Sequence, residues 1–243
     1  MSTLKIGDSA NLDQLINRQM NLWDVRQKLA REGGEAARLE FAHLKEGPWI
    51  TLSRQPGSGG TDLARLLGTK LGWQVFDREI LSAIAHNDPA REKILSRLDE
   101  HAVGVFQDFL SNVMVHEAVS RNVYAHDIAQ LIWTLARQGR AILVGRGANW
   151  LLDPHYGIRI RVVAPRPFRA ARIARLRQIE PALAEERLRK EDEDLAAFIR
   201  QLYRKEIDDP AGYDLILNLE HLEAEAAVEA VITALRRKLG ASA

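Results

Sequence analysis

The chain has 243 residues, 46% of them hydrophobic, 28% charged and 6% aromatic. This is a globular composition, and the absence of cysteine excludes disulfides, zinc–thiolate centres, iron–sulfur clusters and thiol catalysis. Lys and Arg total 34 against 33 Asp and Glu, a net charge of +1, which argues against a dedicated nucleic-acid coat.

Residues 1–46 read as a polar helical extension. Leu12, Leu15, Ile16, Met20 and Trp23 recur at helical spacing, and Gly33 and Gly34 separate them from a second segment with Ala37, Phe41 and Leu44. A helical hairpin packed on the domain or on a second subunit, forming a homo-oligomer, is expected. Gly47-Pro48 opens a second unit, residues 47–240. Residues 49–53 read as a buried strand feeding a glycine-rich loop. Residues 61–70 follow as a helix with Leu63, Leu66 and Leu67 on one face, stopped at Gly72. A second strand is expected at 73–77, then a helix through Ile80, Leu81 and Ile84. Residues 87–139 read as helical throughout, with Leu98, Val103, Val105, Phe106, Leu110, Val113, Leu131 and Leu135 among their apolar positions. Strands at 141–145 and 158–164 come next, the latter alternating Ile158, Ile160 and Val162 against two arginines. An arginine-rich helix from 167 to 203, a fifth strand at 213–218 and an amphipathic terminal helix through Val228, Val231 and Leu235 complete the chain.

Strands separated by helices predict an α/β fold with a parallel sheet covered on both faces. Such sheets bind ligands beyond the carboxyl ends of their strands, near a reversal in strand order. The loops after Ser53, Asp77, Gly145 and Ala164 are therefore the places to look. No apolar run approaches the roughly 20 residues of a membrane helix, and the first residues lack a signal-peptide core. A soluble, cytoplasmic protein with no membrane or nucleic-acid partner is expected.

The segment SRQPGSGGT, residues 53–61, joins the first strand to a helix. Gly57, Gly59 and Gly60, with Ser58 between them, permit positive φ and let backbone N–H groups turn inward. Together with the helix N-terminus, these amides can cradle an anion. Thr61 opens the helix, where its hydroxyl can cap it or coordinate Mg²⁺. The Walker pattern G-x-x-x-x-G-K-[ST] places Gly60 where lysine belongs and Arg54 where the first glycine belongs. Arg54 replaces that cation if its side chain folds back over the loop; a tight glycine-rich connection without a ligand is the competing reading.

Asp77 and Arg78 end the second strand, as a carboxylate and guanidinium facing a cleft or as a helix cap beside a solvated arginine. Arg146 stands between Gly145 and Gly147 after the third strand, a place where little but a ligand explains a charge. Residues 159–177 are rich in arginine and contain no acid. Arg166, Arg169, Arg172 and Arg175 fit a lid closing on phosphates, or a solvated helix face paired with glutamates.

These segments resemble the cytidylate kinase-like P-loop proteins, relatives of bacterial cytidylate kinase. The resemblance is carried by ITLSRQPGSGG (50–60), FDREIL (76–81), ILVGRGAN (142–149), DDP (208–210) and YDLILN (213–218), and it covers about residues 48–239. It implies a three-layer P-loop NTPase fold of the nucleoside-monophosphate kinase type, with about five parallel strands, a helical insert and a lid. It also implies that the lysine-free loop is a family form. The implied reaction is Mg²⁺-assisted transfer of the ATP γ-phosphoryl group to CMP or dCMP. Gly57, Ser58, Gly59, Gly60 and Thr61 would hold the donor phosphates, with the Thr61 hydroxyl on Mg²⁺. Asp77, Arg78 and Arg146 would grip the acceptor, and Arg54, Arg172 and Asp192 would serve catalysis. Relatives tend to carry D-R-x-R before the aromatic at Phe198. Here Asp192 matches, but Glu193 and Leu195 stand where arginines are expected, so a nucleotide-binding regulatory protein with impaired catalysis is the rival expectation.

Overall fold

The computed structural model describes residues 47–96, 104–107, 110 and 123–240, with positions 20, 21, 24, 25 and 28. The expectations for the rest of residues 1–46, and for Leu98, Val103 and Val113, lie outside the described residues. The elements are β1 (Trp49–Arg54), α1 (Gly60–Leu71), β2 (Gln74–Phe76), α2 (Arg78–Ala85), α3 (Asp88–Leu95), α4 (Val123–Gln138) and β3 (Ala141–Val144). They continue with α5 (Ala148–Leu151), β4 (Gly157–Val163), α6 (Arg166–Arg177), α7 (Pro181–Tyr203), β5 (Leu215–Asn218) and α8 (Ala224–Lys238). No described helix is long and apolar enough to cross a membrane.

The five strands form one parallel sheet in the order β2-β3-β1-β4-β5. β1 is central, with Trp49 opposite Ala141 on one side and Gly157 on the other. Successive strands lie first to one side of β1 and then to the other, so the loop leaving β1 emerges where the strand order reverses. The period-two alternation of strand side chains sorts the core into two halves. Ile50, Leu52, Ile142, Val144, Ile158, Ile160 and Val162 face Leu63 and Leu67 of α1 and Val228, Val231 and Leu235 of α8. Trp49, Phe76 and Leu143 pack on the other face with Leu81, Ile84, Leu131, Leu135 and Leu202 from α2, α4 and α7. Each fully buried leucine or isoleucine contributes about 1.5–3 kcal/mol. Both faces are therefore covered, as the three-layer arrangement requires.

Two boundaries differ from the sequence expectation. The arginine-rich helix breaks into α6 and α7. Gln178 adopts the left-handed region (φ 52°) and Glu180 is extended before Pro181. Proline disfavours helical geometry in the residue before it, which is why the pattern does not run through. α6 and α7 close on their own small core of Ala170, Ile173, Ala184 and Leu188. The fifth strand starts at Leu215, because Tyr213 and Asp214 are used elsewhere. The Tyr213 hydroxyl donates to the Ile207 carbonyl at 2.7 Å. Within the stretch expected to be helical throughout, the described helical segments are α3, α4 and residues 104–107 and 110. Of the N-terminal segment, Met20 is 2% exposed in the α2/α4 core, and Asp24 pairs with Lys93 of α3 at 2.8 Å.

Asp214 fastens β5 and α8 to β4. Its carboxylate accepts from the Arg159 amide at 2.8 Å, the Arg159 guanidinium at 3.1 Å and the Lys238 ammonium at 2.6 Å. Burial pushes this carboxyl up, and the hydrogen bonds from Arg159 and Lys238 more than reverse the push, leaving it below its ordinary range. A depressed folded-state value stabilises the fold above the unfolded value of about 3.9 and loses that contribution as pH falls through the folded value. Asp214→Asn is therefore expected to cost about 1 kcal/mol at pH 7. In urea titrations that difference should shrink toward zero as the pH is lowered through and below about 3.9.

Candidate active site

The loop after β1 is shaped by its glycines. Gly57 and Gly59 hold φ of 77° and 91°, which disfavour any residue with a Cβ. A Cβ on Gly57 would lie 2.7 Å from the Arg169 carbonyl oxygen, so the loop is wedged against the start of α6. Gly59 occupies the N-cap of α1, and no side chain caps that helix. The first-turn amides consequently have no side-chain acceptor and face the place where an anion would sit. Thr61 is the second residue of α1 and does not cap it. The Ser58 hydroxyl is buried without a hydrogen-bond partner.

Arg54 supplies the reason for Gly60. A Cβ at residue 60 would stand 2.6 Å from the Arg54 Cβ and 3.2 Å from the Val162 Cβ. The stem of Arg54 therefore covers the position where a loop lysine would begin. The Arg54 guanidinium runs on toward β3, with Nη1 2.9 Å from where a Cβ on Gly145 would be. Burial lowers the pKa of Arg54; Glu79 and Asp77 oppose that shift, and Arg78 and Arg146 reinforce it. Coulomb interactions fall with distance, so these five charges share one neighbourhood. The Arg54 stem thus lies against the loop at Gly60, while its guanidinium reaches Gly145.

Asp77 is the N-cap of α2, its Oδ1 accepting from the Ile80 amide at 2.9 Å. Burial holds its carboxyl above the usual range, and that one hydrogen bond opposes the shift only partly. Arg78 is exposed and pairs with Glu79 at 3.3 Å. Locally, these two residues fit the cap-and-solvated-arginine reading, although both lie within electrostatic reach of Arg54.

Arg146 is built differently. It sits at φ 57° between the left-handed glycines 145 and 147. Its Nη2 donates to Ser82 Oγ at 2.7 Å and to the Tyr124 hydroxyl at 3.0 Å. Its guanidinium lies over the rings of Tyr124 and Phe198, while Nε is buried with no partner. Burial lowers its pKa too, opposed by Tyr124. Arg146 is thus a half-buried cation at a positive φ, with one buried N–H unpaired.

The lid residues have other partners. Arg172 pairs with Asp62 in the first turn of α1. Asp192 accepts from Arg169 Nη1 with both oxygens at 3.0 Å, and the same Nη1 lies 3.4 Å from the Pro56 carbonyl. Arg177 and Arg189 pair with Glu191 and Glu193. The structure thus brings Asp77, Arg78 and Arg146 within electrostatic reach of Arg54, and it places Arg172 and Asp192 in ion pairs that anchor α6. Ser82, Tyr124 and Tyr203 were not legible as site residues, because each meets Arg146 across 22 or more residues of sequence. Arg161 is a further buried cation, bonded to Ser53 at 2.8 Å and Asp208 at 2.7 Å.

A glycine loop leaving the central strand of a 2-3-1-4-5 parallel sheet, with a two-helix lid above it, defines a P-loop protein of the kinase-like α/β class. A model of the cytidylate kinase-like family matches residues 49–221, and the chain belongs to that family. It is 32% identical over 191 residues to the cytidylate kinase of Methanothrix thermoacetophila, covering 77% of this chain and 97% of that one. With the cytidylate kinase of Methanocaldococcus jannaschii it shares 23% identity over 190 residues, or 76% and 96% of the two chains. Its fold is also that of an uncharacterised protein from Eubacterium ventriosum, at a TM-score of 0.58 and 16% identity, covering 76% and 96%.

Proposed function

We propose that this protein is a nucleoside-monophosphate kinase that transfers the γ-phosphoryl group of ATP to CMP or dCMP. The observation that carries the reading is Arg54. Its stem lies against Gly60, where a loop lysine would begin, and its guanidinium reaches Gly145 in the β3 loop that bears Arg146. One cation thereby stands between the donor phosphates and the acceptor phosphate. The cytidylate kinases among the relatives support cytidine as the acceptor nucleoside.

In this mechanism the amides of Gly57, Gly59, Gly60 and Thr61 bind the β- and γ-phosphates, the Ser58 amide donating to the Gln55 carbonyl. Arg146 fixes the acceptor phosphate through its guanidinium, and Arg54 holds both groups in line. Phosphoryl transfer needs positioning and charge neutralisation more than covalent help, so these groups suffice in kind. The donor set fits a magnesium ion: the Thr61 hydroxyl would hold it, with the remaining ligands drawn from nucleotide phosphates and water. Among the described residues no three acidic or histidine side chains converge to form a cage, as is usual for Mg²⁺ at phosphates. Bound Mg²⁺ supplies neutralisation of the phosphate charge. The protein would act in the cytoplasm on small-molecule nucleotides. Residues 47–240 would form the catalytic unit, with the segment before it a helical extension.

A coupled assay with ATP, Mg²⁺ and each common nucleoside monophosphate tests the reading; turnover highest with CMP or dCMP is expected, and no turnover with any acceptor rejects it. One observation favours a second reading, a nucleotide-binding regulatory protein. Glu193 and Leu195 replace expected lid arginines, and Arg189 is tied to Glu193. Calorimetric binding of ATP and CMP alongside absent turnover selects that alternative.

A further inference from the structure

Tyr203 is the last residue of α7 and is buried against the Arg146 loop. Its hydroxyl donates to the Arg146 carbonyl at 2.9 Å. Its ring lies where a Cβ on Gly147 would come within 2.2 Å, so residue 147 has no side chain because Tyr203 fills its place. Burial keeps the Tyr203 phenol protonated far above neutral pH, so the hydroxyl remains a donor. Five residues earlier on the same helix, the Phe198 ring lies 5.8 Å from the Arg146 guanidinium carbon. α7 therefore holds Arg146 at both ends, by its backbone carbonyl and by its side chain. The same helix is tied through Asp192 and Arg169 to the Pro56 carbonyl of the phosphate loop. The segment from 192 to 203 spans roughly 16 Å of helix.

Arg146 needs such support. A non-glycine residue at φ 57° is held only when its surroundings over-determine it. Ser82 and Tyr124 orient the guanidinium, but neither touches the Arg146 backbone in any hydrogen bond, whereas Tyr203 does. We infer that Tyr203 is a positioning residue, fixing the left-handed Arg146 backbone so that its guanidinium meets the acceptor phosphate, with Phe198 steadying the side chain. The inference rests on the reading of Arg146 as the acceptor arginine.

Steady-state kinetics on the full-length protein with ATP and its best monophosphate acceptor test it. Tyr203→Phe keeps the ring against Gly147 and removes only the hydroxyl. The acceptor KM should rise roughly three- to tenfold, the size expected for one lost hydrogen bond. The ATP KM should stay within about twofold and the Tm within about 3 °C. Phe198→Leu, at a half-buried site, should shift the acceptor KM in the same direction. An unchanged acceptor KM in Tyr203→Phe, or ATP and acceptor KM values moving together with a falling Tm, overturns the inference. Arg146→Ala run beside them separates the two levels. If it raises the acceptor KM and Tyr203→Phe does not, only this inference falls. If it too is silent, or the wild type turns over no monophosphate, the reading of Arg146 falls as well.

Discussion

Arg54→Ala is expected to lower kcat/KM by about a thousandfold or more, the scale of a lost transition-state arginine. Placing lysine back in the loop, as Gly60→Lys, should not rescue it. The reason is steric. A Cβ at residue 60 falls 2.6 Å from the Arg54 Cβ, and alanine at 54 retains that atom. The double variant therefore keeps the tightest contact and loses only the Arg54 Cγ at 3.3 Å, with Val162 still pressing from 3.2 Å. Overpacking of this kind costs about 1–3 kcal/mol, and here it also displaces the amides that hold the phosphates. Kinetics together with thermal unfolding of the three variants decide the matter. An active, stable Gly60→Lys protein would mean that Arg54 does not occupy the place of the loop lysine.

Arg146→Ala is expected to lower kcat/KM for the acceptor by about 100- to 1000-fold, chiefly through the acceptor KM, while the Tm moves by only a few degrees. The side chain is well connected, yet its removal strands no hydroxyl, because Ser82 Oγ and the Tyr124 hydroxyl are already bonded to each other at 2.7 Å. The positive φ is no harder for alanine than for arginine, so the backbone gains no new strain. Arg146→Lys should rescue little, since an ammonium cannot reproduce the forked contacts to Ser82 and Tyr124 and still reach a phosphate. Cooperative unfolding of Arg146→Ala at ordinary temperature would make Arg146 a structural residue and remove it from the acceptor site.

Short apolar runs bounded by turn residues, with the alternation of Ile158, Ile160 and Val162, were enough to place five strands, because strand burial is a local pattern. The phosphate loop was legible for the same reason: glycine spacing encodes backbone shape directly. What sequence could not supply was partnership at long range. Nothing near Tyr203 announces that it will meet Arg146 57 residues away, and nothing near Ser53 announces the Arg161 contact 108 residues on. The break at 178–180 is hidden because arginine-rich helical sequence resumes beyond it at Arg187 and Arg189, and only Pro181 marks it. Asp77 shows the opposite limit, since a carboxylate at a strand end reads equally as a cap and as a ligand group, and the fold uses it at least as the cap.

A bisubstrate analogue, adenosine and cytidine joined 5′ to 5′ through five phosphates, measures most directly whether the Arg54 and Arg146 groups embrace two nucleotides at once. Calorimetry should give one analogue per chain, bound far more tightly than ATP or CMP alone, displaced by either nucleotide and weakened at least tenfold in Arg146→Ala. Binding no tighter than ATP alone, indifferent to CMP and to the loss of Arg146, would contradict it.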